Sequence, residues 1–288
     1  MNFLKAKFTM TLIVLLTAFA FAQTPEAAKA FNDANTALRN RDTQGAIEKY
    51  QEAIKQDASF ALAYYGLGNA YKQNNDYVNA ESAYKKAIEK DNKMVKSYHF
   101  LGYVQYRQGK LTESVNSYKA AIEIDPKFES AYWGLGDVYK RQEQYQQAVE
   151  QYQKAVEIDP TSVNALRGLG VSFFELGKFE ESASAFEGAL EHISRGALKG
   201  DTYYRLGNAY RELDQLDQAE SAYLESLKSA RSSTIKGGAN FGLGEIYKKR
   251  GNSGQALKYF TAASQDRTWK KPAEYEIDVL KNPGKYSN

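Results

Sequence analysis

The chain has no cysteine and only two histidines, five prolines and two tryptophans in 288 residues. Without cysteine there is no disulfide, no thiolate metal site, no thiol nucleophile and no lipid-bearing N-terminal cysteine. His99 and His192 are far apart in sequence, and neither sits in a two-histidine helical spacing, so a histidine-built metal or acid–base centre has little to draw on. A glycine-rich phosphate loop is also lacking, because the glycines fall at fixed positions described below. Neither sign of charge dominates: 38 Lys and Arg stand against 35 Asp and Glu. Lys5 and Lys7 belong to a segment expected to be removed, so the rest of the chain is close to neutral, and the basic balance gives no reason to expect nucleic acid. Adjacent acids such as Glu180 and Glu181 lie on a solvated helix start and do not form an opposed catalytic pair.

Long apolar runs are rare as well. The one at residues 11–22 follows Lys5 and Lys7 and ends in Ala20-Phe21-Ala22. A basic start, a short apolar core and an A-x-A site describe an export signal, with cleavage expected after Ala22. The run is too short for the roughly 20 residues that span a bilayer, so no stable membrane insertion is expected after cleavage. The expected location is the periplasm or outside the cell.

What the chain has in abundance is a period. Leu67-Gly68, Leu101-Gly102, Leu135-Gly136 and Leu169-Gly170 recur every 34 residues, and Leu206-Gly207 and Leu243-Gly244 follow at 37. A fixed period of this length marks a repeat array. With Ala61 as column one, large residues at columns four (Tyr64, Tyr98, Tyr132, Leu166, Tyr203) and eleven (Tyr71, Tyr139, Phe173, Tyr210, Tyr247) join the Leu-Gly pair in a stripe at helical spacing, expected to be buried. A second stripe holds small residues at columns twenty and twenty-seven around an aromatic at twenty-four (Tyr84, Tyr118, Tyr152, Phe186, Tyr223, Phe260). Each repeat is therefore two amphipathic helices joined by a turn, often marked by Gly or Asn (Asn75, Gly109, Gly177, Gly251). Glycine inside a helix costs about 1 kcal/mol against alanine, so six at one column imply close packing of the second helix there. Asp125-Pro126 and Asp159-Pro160 stop second helices. The two longer repeats lack this proline, and their three extra residues are read as a second helix extended by a turn, with a change in the array expected near residue 196.

This pattern, a large–Leu–Gly–Tyr first helix and an Ala–aromatic–Ala second helix, resembles the tetratricopeptide repeat family. The resemblance spans 27–60, 61–94, 95–128, 129–162, 163–199, 200–236 and 237–270. It is weakest in the first repeat, where Asp33 replaces the Leu, and Gln105 departs from the expected aromatic in the third. It implies an all-α, right-handed solenoid of about seven repeats with first helices lining the concave face. Residues 271–288 are expected to form a capping helix, Ala273–Lys281 after Pro272, and a tail.

First-helix columns outside the core supply the candidate contacts. Column five reads Phe31, Tyr65, His99, Trp133, Arg167, Tyr204 and Phe241; column nine Asn35, Asn69, Tyr103, Asp137, Val171, Asn208 and Glu245; column twelve Leu38, Lys72, Tyr106, Lys140, Phe174, Arg211 and Lys248. Two explanations stand side by side. The rings can pack against the next repeat while the basic groups complement helix C-termini, or rings, amides and cations can meet an extended ligand. The residues expected to contact a partner are Tyr65, Asn69, Lys72, His99, Tyr103, Tyr106, Trp133, Asp137, Lys140, Arg167, Tyr204, Asn208 and Arg211. One tetratricopeptide subset holds the terminal carboxylates of chaperones in a Lys–Asn clamp. Asn35 and Asn69 match its Asn, but Phe31 and Tyr65 stand where it needs Lys, which argues against chaperone tails. The full-length array, the export signal and the thin catalytic inventory together lead to the expectation of a non-enzymatic scaffold, without cofactor or metal, that binds protein segments, envelope assembly components among them. A glycan stacked on the column-five rings is the alternative.

Overall fold

The computed structural model describes residues 24–194 and 196–286. The segment read as an export signal lies outside the described residues. Among those described, fifteen α-helices follow one another and there is no strand. The described residues form two compact units that divide after Pro126. Unit 1 holds α1 (Pro25–Arg39), α2 (Thr43–Gln56), α3 (Ala61–Gln73), α4 (Tyr77–Lys90), α5 (Val95–Arg107) and α6 (Leu111–Ile124). Unit 2 holds α7 (Glu129–Arg141), α8 (Tyr145–Ile158), α9 (Val163–Glu175), α10 (Phe179–His192), α11 (Ala197–Glu212), α12 (Leu216–Ser229), α13 (Ser233–Lys249), α14 (Ser253–Ala263) and α15 (Lys270–Lys281). Composition does not mark the boundary at Pro126: Asp159-Pro160 has the same form and lies inside unit 2.

Helix ends follow from local chemistry. The carboxylates of Asp42 and Asp76 accept the backbone N–H of Gly45 and Asn79 and so cap α2 and α4. Asp125 and Asp159 are extended, as the following prolines require, and end α6 and α8. Between the two helices of every repeat, column fifteen takes a left-handed conformation. Gly109, Gly177 and Gly251 fill it in three repeats; Arg41, Asn75, Glu143 and Asp214 do so in the other four, at φ of 58–63°.

The longer repeats correct the sequence reading. α10 and α12 have 14 residues each, like α2, α4, α6 and α8, while α11 has 16 and α13 has 17 against 13 in α9. The extra turn therefore begins the next first helix. Helix starts explain this: Gly196 at φ 102° opens α11, and Ser232, extended, opens α13. The added turn packs through Gly200, where a Cβ would lie 2.4 Å from the backbone N of Ala230, and its carbonyl accepts Ser226 Oγ at 2.8 Å.

The buried face of the first helices is also shifted from the expected stripe. Columns four and eleven are only half-buried, whereas small residues at column three (Ala63, Ser97, Ala131, Ala165, Thr202, Ala239) and residues at column ten (Ala70, Val104, Val138, Ser172, Ala209, Ile246) are fully buried. Glycines at column eight make room for a ring rather than for a helix backbone. Tyr152 is pressed between Gly136 of its own repeat and Gly168 of the next, where added Cβ atoms would stand 2.8 and 2.3 Å from it. Tyr223 lies in the same way between Gly207 and Gly242. Where the next repeat lacks the second glycine, Phe100 stacks on Tyr84, with ring centroids 6.0 Å apart.

Helix α15 packs Ala273, Ile277 and Leu280, with Trp269, on Phe241, Tyr247 and Phe260 of the last repeat. Pro272 does not precede this helix but lies in its first turn, where its missing N–H has no helical partner to lose.

Candidate functional site

The column-nine groups have internal work. Tyr50, Tyr84, Tyr152 and Tyr223 donate their phenol O–H to Asn35, Asn69, Asp137 and Asn208 at 2.6, 2.9, 2.6 and 2.8 Å. Phe186 has no hydroxyl, and Val171 stands opposite it. The acceptor oxygens of Asn69, Asp137 and Asn208 are thus committed to the core aromatics of their own repeats, which leaves the Asn69 and Asn208 amide nitrogens as donors toward the surface.

Column five also turns inward. Tyr65 packs on Tyr84 and Phe100, Tyr204 on Tyr223, and Phe241 on Phe260 and Trp269. Trp133 is half-buried against the cluster around Tyr152. His99 is buried edge-on to Phe100 and Tyr118, and burial, with Lys72 second, pushes its pKa down to about 4. These rings are therefore part of the fold, and the flat platforms a sugar would stack on are engaged from within.

On unit 1, α3 and α5 bring together Tyr65, Asn69, Lys72, His99, Tyr103 and Tyr106. Lys72 Nζ lies 3.5 Å from the Phe100 ring centroid and 5.9 Å from that of Tyr103. Arg107 donates to Tyr103 Oη at 2.7 Å. Tyr106 is half-buried on the same helix.

On unit 2, α7, α9 and α11 gather Trp133, Asp137, Lys140, Arg167, Tyr204, Asn208 and Arg211 in a face of matched charges. Lys140 meets Asp137 at 2.5 Å, Arg167 and Arg205 share Asp201, and Arg211 reaches Glu245 at 2.6 Å and Glu212 at 2.9 Å. Arg167 also donates to Thr202 Oγ1 at 2.9 Å. Two adjoining cavities of about 230 Å³ each open here. One is lined by Val171, Phe174, Glu175, Phe186, Tyr204, Arg205 and Asn208; the other by Asp137, Lys140, Asn164, Arg167, Gly168, Val171 and Arg205. Val171 and Arg205 border both. The sequence reading missed Arg205, Asn164 and Asp201. Arg205 had a visible signal: it stands at column six, where Gly66, Gly134, Gly168 and Gly242 stand in other repeats.

The face offers two hollows lined largely by polar groups, one of them with an apolar side at Val171, Phe174 and Phe186, and ion pairs at their rims that a partner's charges can exchange with. Among the described residues, no group of three or more His, Asp or Glu side chains is placed to hold a metal ion, and no helix is long and apolar enough to cross a membrane.

Comparison with known proteins agrees with the geometry. A family model described as TPR repeat matches residues 102–143 and 136–177, and two described as tetratricopeptide repeat match 31–94 with 204–272 and 161–232. No curated protein matches the chain. Among solved structures, the C-terminal part of a TPR repeat-containing protein from Cytophaga hutchinsonii aligns with TM-score 0.68 at 16% identity, over 86% of this chain and 99% of that one. The pilF protein of Pseudomonas aeruginosa aligns with TM-score 0.63 at 15% identity, over 72% and 92%. YrrB, described as a TPR protein with an unusual peptide-binding site, aligns with TM-score 0.58 at 21% identity, over 67% and 98%. These likenesses are of fold. With the matched segments covering most of the chain at the period read from its Leu-Gly pairs, the chain belongs to the tetratricopeptide repeat family.

Proposed function

We propose that the chain is a non-catalytic interaction protein that binds an extended segment of a partner protein on the first-helix face of unit 2. The observation that carries this is the pair of adjoining cavities around Val171 and Arg205, rimmed by Lys140, Arg167, Asp201 and Tyr204. The hollow beside Val171, Phe174 and Phe186 accepts an apolar side chain, and the ion pairs at the rims give register more than affinity. YrrB, a fold neighbour, is described as having a peptide-binding site, which supports the same reading here. The test is site-specific photocrosslinking in cells from position 164, which lines the second cavity, followed by mass spectrometry of the adduct. A single protein segment, lost in an Arg205→Ala variant that keeps its melting temperature, is the expected result; unchanged partners in that variant overturn the proposal.

The proposal extends to location. Lys5, Lys7 and the apolar run 11–22 support export, so the partner is an envelope or secreted protein. N-terminal sequencing of the protein from its native cell should begin at Gln23; an intact Met1 refutes export. The glycan alternative is kept only as an outcome: binding heat with peptidoglycan fragments that disappears in Trp133→Ala would restore it.

A further inference from the structure

The basic groups of the unit 2 face each meet a carboxylate: Lys140 with Asp137, Arg167 and Arg205 with Asp201, Arg211 with Glu245, Lys248 with Glu276. Lys72 in unit 1 departs from this. It occupies the same column as Lys140, Arg211 and Lys248, but three residues before it stands Asn69, where Asp137 precedes Lys140. Its ammonium lies half-buried on the Phe100 ring and makes no ion pair among the described residues. Beside it, Asn69 has its oxygen taken by Tyr84, so the amide nitrogen remains to donate. Leu62, Tyr65, Asn69 and Lys72 are spaced three, four and three apart and therefore share one face of α3. Leu62, at the far end of that stripe, is 46% exposed.

We propose that the α3 stripe of unit 1 is a recognition site for a partner segment that carries one acidic and one apolar side chain, the carboxylate taking Lys72 Nζ and the Asn69 amide and the apolar group covering Leu62. This deepens the reading of the chain as a peptide-binding protein and rests on it. Charge complementarity selects the occupant. The Phe100 and Tyr103 rings attract the ammonium, but burial disfavours its charge and no counter-charge among the described residues stands beside it, so a carboxylate there is favoured. One ammonium plus one amide matches a single carboxylate. Lys72 stands at column twelve and Tyr65 at column five, so this is not the Lys–Asn clamp for chaperone tails. Ten residues of helix place Leu62 and Lys72 roughly 15 Å apart, the reach of about four to five residues of extended chain. Burial holds the Lys72 pKa down to about 8, which keeps the group largely protonated at neutral pH and leaves room for a bound anion to raise it.

The test uses the full chain and two synthetic peptides, acetyl-Leu-Ser-Gly-Ser-Glu-amide and the same peptide ending in Gln, titrated by NMR on labelled lysine side chains. The Glu peptide is expected to shift the Lys72 resonance, to raise its titration midpoint and to bind about tenfold more tightly than the Gln peptide. Lys72→Met should lose that tenfold and Lys72→Arg should keep most of it, both with unchanged circular dichroism. Equal binding of the two peptides, equal binding by Lys72→Met, or inorganic phosphate binding as tightly as the Glu peptide overturns the proposal. If Arg205→Ala abolishes partner capture while neither peptide binds, the unit 2 reading stands and this one fails.

Discussion

A methyl group added at Gly168 would stand 2.3 Å from Cζ of Tyr152, and one at Gly136 would stand 2.8 Å from the other side of that ring. Gly168→Ala should therefore destabilise unit 2 by about 1–3 kcal/mol in urea unfolding, the usual effect of overpacking. Replacing Tyr152 by Leu in that background should recover part of the loss, and an unchanged midpoint for Gly168→Ala would show the ring is not held this way. The column-eight glycines were legible because all six keep the place. The column-six glycines were not, because Phe100 and Arg205 interrupt them. The internal hydrogen bonds of Asn69, Asp137 and Asn208 were not legible for a related reason: a polar residue on a first helix looks like surface until the tyrosine 15 residues on is known to reach it. The pairing of Val171 with Phe186 is the same rule read in reverse. His99 adds a pH dependence. Its folded pKa of about 4 lies below the ordinary 6.5, so the unfolded chain binds more protons between those values and stability rises with pH across that window. His99→Leu should flatten that part of the profile in thermal melts; an unaltered slope between pH 4 and 6.5 would count against it.

Elements are positioned by their turns. Left-handed backbone at column fifteen suits glycine, and a β-carbon there costs roughly 1–2 kcal/mol unless the side chain compensates. Glu143→Gly should raise the melting temperature while Gly177→Ala lowers it, a pair of opposite shifts that a loosely held turn would not produce. Asn75 and the glycines were readable as turn residues; Arg41 and Glu143 were not, since their types disfavour the conformation they adopt. The extra turns of α11 and α13 escaped for another reason. Periodicity counts three added residues without saying which side of the connection takes them, and the helix starts at Gly196 and Ser232 decide it. Glu81 is the clearest tie between elements in unit 1. From α4 it accepts Gln108 at 2.8 Å and Lys110 at 2.7 Å in the turn after α5, and it also pairs with Lys85. Burial would raise its pKa, but the hydrogen bonds from Lys110, Lys85 and Gln108 outweigh this and hold it at about 2. Its contribution is complete above pH 4.5 and is lost as pH falls toward 2. Glu81→Gln should lower the melting temperature at pH 7 and make no difference at pH 2.

Across the whole molecule, the period announced the architecture, and the boundary at Pro126 was silent because it changes no column. Within each unit the main contacts of every helix are with helices one or two places along the chain. Stability in such an array is a sum of local terms. Hydrogen exchange in Gly168→Ala should accordingly accelerate in α7 to α10 and leave α1 to α4 as protected as before; uniform acceleration would mean a single cooperative block. The same neighbour-to-neighbour packing has a kinetic consequence. Closing a contact between residues some thirty positions apart loses little chain entropy, and topologies built from such contacts fold fast. A chain emerging end first, from a ribosome or through a membrane pore, need not wait for its other terminus. Each ring can be seated as soon as the glycine of the following repeat arrives, so the molecule can be assembled in the order in which it is read.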